Sequence, residues 1–280
     1  MRDAPSAGEA LARAGFAPTP VSIQVDRDDG APTGTGNVTA MLRRGYIEVL
    51  FKTADTRLGR ELDAAIARYP GIHLAAFAVA DAGAAHRRLA SSGFRVRPLA
   101  EMQRPLAWTE TGAGTAAFTV ARVEPGAMAE ARIQMLTHRT EDTVWQPRWL
   151  THPNGSVALA SLVIAVADVE EAAQRFMRFT DRTATQSRSG QRVRLDRGRL
   201  ELVTSQAFTA MLPEVPICSL PYMGGCGLIV ESLGHADAVL RRGGLNPRPV
   251  GRALAVQFPE ELGHGAWLFA EDAADFPWSV

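Results

Sequence analysis

Two side chains in this sequence are poorly explained as ordinary strand residues. Glu48 sits inside Tyr46-Ile47-Glu48-Val49-Leu50-Phe51, an apolar run in which a lone buried carboxylate would be expensive. His138 ends Ile133-Gln134-Met135-Leu136-Thr137-His138, a second run of strand formers. Side chains alternate faces along a strand, so Tyr46, Glu48 and Leu50 share one face, and Gln134, Leu136 and His138 share the corresponding one. A carboxylate and an imidazole brought to one cavity could move protons on a bound molecule. Asn37, Tyr46, Gln134, Trp145 and His152 complete the set of candidate substrate contacts. His152 opens His152-Pro153-Asn154-Gly155, which is also turn chemistry, because Asn and Gly tolerate positive φ.

The elements that must position these groups repeat. Asp3, Asp81, Asp168 and Glu231 each stand twelve residues before Gly15, Gly93, Thr180 and Gly243. An acidic residue suits the positive end of a helix and Gly suits a left-handed cap beyond it, so each interval reads as a helix of about three turns. Apolar strand-like runs precede the last three, at 72–80, 157–167 and 227–230. Short segments rich in β-formers follow each helix: 37–42, 46–51, 115–123, 131–137, 191–195, 199–204, 253–258 and 266–270. The unit is a strand, a helix and two or three strands, repeated over 1–53, 71–140, 156–205 and 221–270. A further helix is expected around Arg57 to Ile66. Ile47-Glu48-Val49, Ile133-Gln134-Met135, Leu200-Glu201-Leu202 and Trp267-Leu268-Phe269 align across the copies, so only Glu48 and Glu201 keep a carboxylate at the shared position. The first copy lacks its leading strand, which reads as a shortened start.

With Arg2-Asp3 and Gly15-Phe16, Gly34-Thr35-Gly36-Asn37, Gly45-Tyr46-Ile47-Glu48, Thr137-His138-Arg139-Thr140-Glu141, Trp145-Gln146-Pro147 and His152-Pro153-Asn154-Gly155, the chain resembles the glyoxalase-like branch of the vicinal oxygen chelate superfamily. The resemblance is good over residues 1 to about 205 and weaker beyond. It implies an α+β fold of tandem βαβββ modules, paired into cupped mixed sheets with helices outside. Residues 1–150 would form one glyoxalase-like domain and 151–280 a second, degenerate pair. It also implies a divalent metal (Zn, Fe, Mn or Ni) held by His and Glu on inner strands, where a Lewis acid stabilises developing negative charge. Glu48 would then be ligand or base, His138 ligand or acid/base, and Gln134 a polar contact. The family's first-strand His falls at Leu74 and Ser161 here. His73 is one residue off, and a shift of one turns a side chain to the other face. Glu201 has no accompanying His.

The function this implies is a metal-dependent lyase, isomerase or dioxygenase-type enzyme acting on a small oxygen-rich substrate. The alternative is a resistance-type protein that sequesters an apolar or aromatic molecule, for which Ala76 and Ala78 leave room and Tyr46, Trp108, Trp145 and Trp149 offer rings. Bulk composition fits either. Lys plus Arg equals Asp plus Glu at 30 each, so no net field favours nucleic acid or an anionic membrane, and the paired arginines read as solvated. No apolar run approaches the roughly 20 residues a membrane helix needs, and the start lacks a secretory signal. Cys218 and Cys226 read as free thiols of a cytoplasmic protein. A small molecule is the expected partner, and a homodimer is compatible.

Overall fold

The computed structural model describes residues 4–26, 29–109 and 112–279, the side chains of residues 107–113 excepted. The expected helix start at Arg2-Asp3 and the Trp108 side chain lie outside the described residues. The first copy comprises α1 (Ala4–Arg13), β1 (Ser22–Asp26), β2 (Pro32–Met41) and β3 (Tyr46–Lys52). After α2 (Arg57–Arg68), the second runs through β4 (Leu74–Ala78), α3 (Ala82–Ser91), β5 (Ala100–Thr109), β6 (Gly112–Arg122) and β7 (Arg132–His138). A short α4 (Glu141–Val144) leads to the third, with β8 (Ser156–Val166), α5 (Val169–Thr180), β9 (Ala184–Ser187), β10 (Gly190–Leu195) and β11 (Gly198–Thr204). Then α6 (Ser205–Met211) precedes β12 (Tyr222–Val230), α7 (Leu233–Arg242), β13 (Arg248–Val250), β14 (Ala253–Gln257) and β15 (Ala266–Ala270).

The helix ends show why the copies share a length. Asp81 caps α3 by accepting from the backbone N–H groups of Gly83 and Ala84, and Asp168 caps α5 on Glu170 and Glu171. The fourth copy departs from expectation by one residue. Ser232 caps α7 through His235 N, while Glu231 pairs with Arg43. The left-handed residues that end the helices are Gly15, Gly93, Asp181 and Gly244, so in the third copy Asp181 takes that role rather than Thr180.

Two cupped sheets result. The first has the order β3-β2-β1-β5-β6-β7-β4, antiparallel except for the parallel pair β4 and β7. The second has the order β13-β14-β15-β12-β8-β11-β10-β9, with β8 parallel to β11 and β12 parallel to β15. This is the expected α+β arrangement of βαβββ modules. Helices α3 and α5 pack together on the convex sides, where Leu89, Phe94, Phe176 and Phe179 meet Met135, Ile164 and Leu202. Likewise α1 and α7 meet against Val38, Leu228, Trp267 and Phe269. The two sheets therefore share two cores. Both thiols are free, and burial pushes that of Cys226 up to about 12. Among the described residues no helix is long and apolar enough to cross a membrane.

The concave faces differ. In the second sheet, Val163, Val203 and Leu268 are covered by Phe208 of α6 and by Phe276 and Trp278. In the first sheet the concave face keeps a cavity.

Candidate functional site

That cavity has a volume of about 60 Å³ and is walled by alternate residues of the first sheet. Tyr46, Glu48 and Leu50 come from β3, Met102 and Arg104 from β5, and Phe118, Val120 and Arg122 from β6. Arg132, Gln134 and Leu136 come from β7, with Leu74 and Ala76 from β4. The intervening Ile133 and Met135 face the helices instead. Strand parity therefore places Tyr46, Glu48 and Gln134 on one cavity, as the alternation of types implies.

Glu48 is positioned from two sides. Asn37, diagonal to it across the β2–β3 pair, donates from Nδ2 to Glu48 Oε1. Arg104 approaches the same oxygen at 3.6 Å across the cup. Asn37 is itself 1% exposed, so it orients the carboxylate from behind rather than lining the cavity. Burial, and then the Glu48 charge, push the Tyr46 hydroxyl far above its usual range and keep it protonated. Gln134 accepts from Arg122 Nε at 3.1 Å.

His138 shares the concave side but does not reach the cavity. Its ring packs at 4.7 Å from Trp145, 5.3 Å from Phe118 and 6.0 Å from Tyr46, measured between centroids. Tyr46 and Phe118 line the cavity and occupy the way to the imidazole. Its Nε2 is buried without a hydrogen-bond partner. Burial, then the charges of Arg104 and Arg197, push its pKa down to about 4. The unfolded chain thus takes up this proton first as the pH falls. The stability His138 contributes is complete above the unfolded value near 6.5 and is lost as the pH falls through about 4. Denaturant midpoints should fall over that window, and His138→Phe should flatten that part of the profile. An unaltered profile in the variant would assign the titration elsewhere.

The other candidates lie apart from the cavity. Trp145 donates from Nε1 to the Leu42 carbonyl at 3.0 Å and packs in the apolar end of the cup. His152 accepts at Nδ1 from Ala17 N at 3.0 Å and donates from Nε2 to the Met41 carbonyl at 2.7 Å. It is a buried clasp between the chain after α1 and the end of β2. His73 stacks on Tyr69 at 4.1 Å, away from the cavity. Three arginines outside the adjacent pairs, Arg104, Arg122 and Arg132, line the cavity. Parity carried a signal for Arg132, which alternates with Gln134.

A divalent metal, which the fold family implies, does not suit these groups. The first-strand position is Leu74, the amide of Gln134 is held by Arg122, and His138 is walled off. Among the described residues no three His, Cys, Asp or Glu side chains gather to hold a metal. The remaining carboxylate, Glu48, faces three guanidinium groups whose charge opposes a second cation.

Comparison with known proteins agrees with the fold. No curated protein matches the sequence. A solved hypothetical protein from Staphylococcus aureus is 10% identical with a TM-score of 0.61, over 89% of this chain and 88% of that one. A mutant of 4-hydroxymandelate synthase from Streptomyces coelicolor is 12% identical with a TM-score of 0.58, over 97% and 90%. A xylose isomerase-like TIM barrel/4-hydroxyphenylpyruvate dioxygenase fusion protein is 12% identical with a TM-score of 0.60, over 95% of this chain and 46% of that one. At these identities the likeness concerns the fold alone. The family model described as "Glyoxalase-like domain" matches residues 1–180, well over half of the sequence, and the chain belongs to that family.

Proposed function

We propose that this protein is a small-molecule enzyme of the lyase or isomerase type, in which Glu48 acts as a general base without a metal ion. The observation that carries this reading is the Glu48 carboxylate on the cavity wall, fixed by Asn37 and faced by Arg104. A carboxylate held in this way can take a proton from a carbon next to a carbonyl. The electron pair passes to the carbonyl oxygen, where a guanidinium stabilises the developing negative charge. In an α-hydroxy carbonyl compound the hydroxyl proton passes to the former carbonyl oxygen and Glu48 returns its proton to the former carbonyl carbon, which completes an isomerisation. Loss of a leaving group instead completes an elimination. The apolar walls of Leu50, Leu74, Met102, Phe118 and Val120 exclude water and accept a short carbon skeleton.

Sequestration without chemistry is the second reading, favoured by those same apolar walls. Deuterium exchange separates the two. Chelator-treated protein in deuterated water should exchange the hydrogens next to the carbonyl of pyruvate or hydroxyacetone, with the rate unchanged by added Zn, Fe, Mn or Ni ions. Exchange that appears only after a metal is restored would overturn the metal-free reading. Tight binding with no exchange would favour sequestration.

A further inference from the structure

The charges around the cavity do not balance: three guanidiniums, of Arg104, Arg122 and Arg132, face the single carboxylate of Glu48 among its lining residues. Elsewhere in the chain, arginines drawn into the interior are matched. Arg175 is bonded to Glu130 and Glu171, Arg192 to Glu201, and Arg97 to Glu61. Arg122 and Arg132 have no such partner among the described residues. Arg122 donates from Nε to the neutral Gln134 Oε1, and its terminal nitrogen faces Met102 Sδ at 3.1 Å. Arg132 Nε is buried with no hydrogen-bond acceptor at all.

The register sets these two groups side by side. Arg122 pairs with Gln134 across β6 and β7, and Arg132 precedes Gln134 by two residues on the same face. Their charges oppose each other. Burial, then the neighbouring Arg132 and Arg97, push Arg122 down to about 10, and burial lowers Arg132 as well. Two like charges drawn out of water are costly when Glu48 and Glu61 oppose them only through charge and no carboxylate is bonded to either, and an anion placed between them reduces that cost. Guanidinium forks match the two coplanar oxygens of a carboxylate. The Nε2 of Gln134, whose Oε1 accepts from Arg122, supplies a further donor beside them.

We propose that Arg122 and Arg132, with Gln134 between them, form the anion-binding end of the cavity, and that its ligand is a small organic carboxylate. The carboxylate seats on the guanidinium pair, and the carbon skeleton extends over Leu74 and Leu50 toward Glu48. This deepens the functional reading by naming the substrate class, and it rests on the same cavity. It does not require Glu48 to act as a base.

Calorimetric titration of the chelator-treated full chain tests it, with pyruvate, malonate, inorganic phosphate and the neutral propanamide as probes. At least one carboxylate should bind, more tightly than phosphate, and propanamide should not. Arg122→Gln and Arg132→Gln should each weaken carboxylate binding at least tenfold. Glu48→Gln should leave it intact or tighten it several-fold, because the one opposing charge is gone. That result sustains the carboxylate site even if Glu48 proves to have no catalytic role. Should the Gln variants fail to fold, Arg122→Lys keeps the charge but loses the fork, and its affinity should drop several-fold. The proposal is overturned by absence of carboxylate binding, by preference for phosphate, or by folded Arg variants that bind as tightly as the parent.

Discussion

Glu48→Gln is expected to reduce turnover by about 10²–10⁴-fold, the range over which a positioned general base contributes. The substitution keeps the shape of the side chain and leaves a carbonyl oxygen to accept from Asn37. Arg104 is buried and approaches Glu48 at 3.6 Å, so loss of the charge should lower the melting temperature modestly while the protein stays folded. The loss should fall on kcat rather than KM, because the ligand's affinity resides in the other groups of the wall. Asn37→Ala should give a smaller loss of the same kind by freeing the carboxylate to rotate. Steady-state kinetics with the deuterium-exchange substrate, paired with a melting curve, decides the matter. An unchanged kcat in a folded Glu48→Gln protein would remove the base from the proposed mechanism.

The largest effect on stability is expected at the position equivalent to Glu48 in the second sheet. Glu201 is fully buried there, 2.5 Å from Arg192 Nε and 3.3 Å from Arg199 Nε. Burial raises its pKa, and the two arginines act in the opposite direction. Arg192 also holds the Trp278 carbonyl, and Arg199 holds those of Ala273 and the Ser279 hydroxyl, so this cluster pins the chain end over the concave face. Arg192→Met should cost about 3–5 kcal/mol, because it leaves a buried carboxylate short of its closest partner. For a chain of this size that is a fall in melting temperature on the order of 10 °C. The deficit should narrow as the pH falls, since protonation removes the charge that Arg192 neutralised. Arg192→Met combined with Glu201→Met should recover part of the loss, because the unpaired carboxylate is gone and Arg199 keeps neutral acceptors on Ser161, Ala273 and Ser279. Denaturant titration of the parent, the single and the double variant measures this. A single variant within 1 kcal/mol of the parent would show that the cluster is not a unit.

The two sheets show how one module serves two ends. In the first, the shared position holds a carboxylate beside open space. In the second, the same carboxylate is sealed by arginines, Phe276 and Trp278. The difference lies in what covers the concave face, not in the strand that carries the acid.

Much of this architecture was legible in the residues because its causes are local. A helix cap, a left-handed glycine and the alternation of a strand each depend on neighbours within a few positions. Four repeats, the helix at 57–68 and the inward face of Tyr46, Glu48 and Gln134 follow from such signals. Even there, single-residue choices escaped notice. Ser232 outcompetes Glu231 as a cap, and Asp181 takes the left-handed turn, because α5 has twelve residues against ten in α1, α3 and α7. Strands β1 and β5 were illegible for another reason. Ser22–Asp26 alternates over only five residues and exposes Ile23, and Ala100–Thr109 carries Pro105 and three charges or amides, so each signals its strand weakly alone. Each is a strand because partners lie on both sides, β2 and β5 for β1, and β1 and β6 for β5, with Val25 opposite Gln103. The site divides along the same line. That Glu48 and His138 look to one side follows from parity. That two aromatic rings close off His138, and that arginines from β5, β6 and β7 converge, depends on registers such as Phe118 opposite His138. Such contacts join different strands, and only the packed chain brings them together.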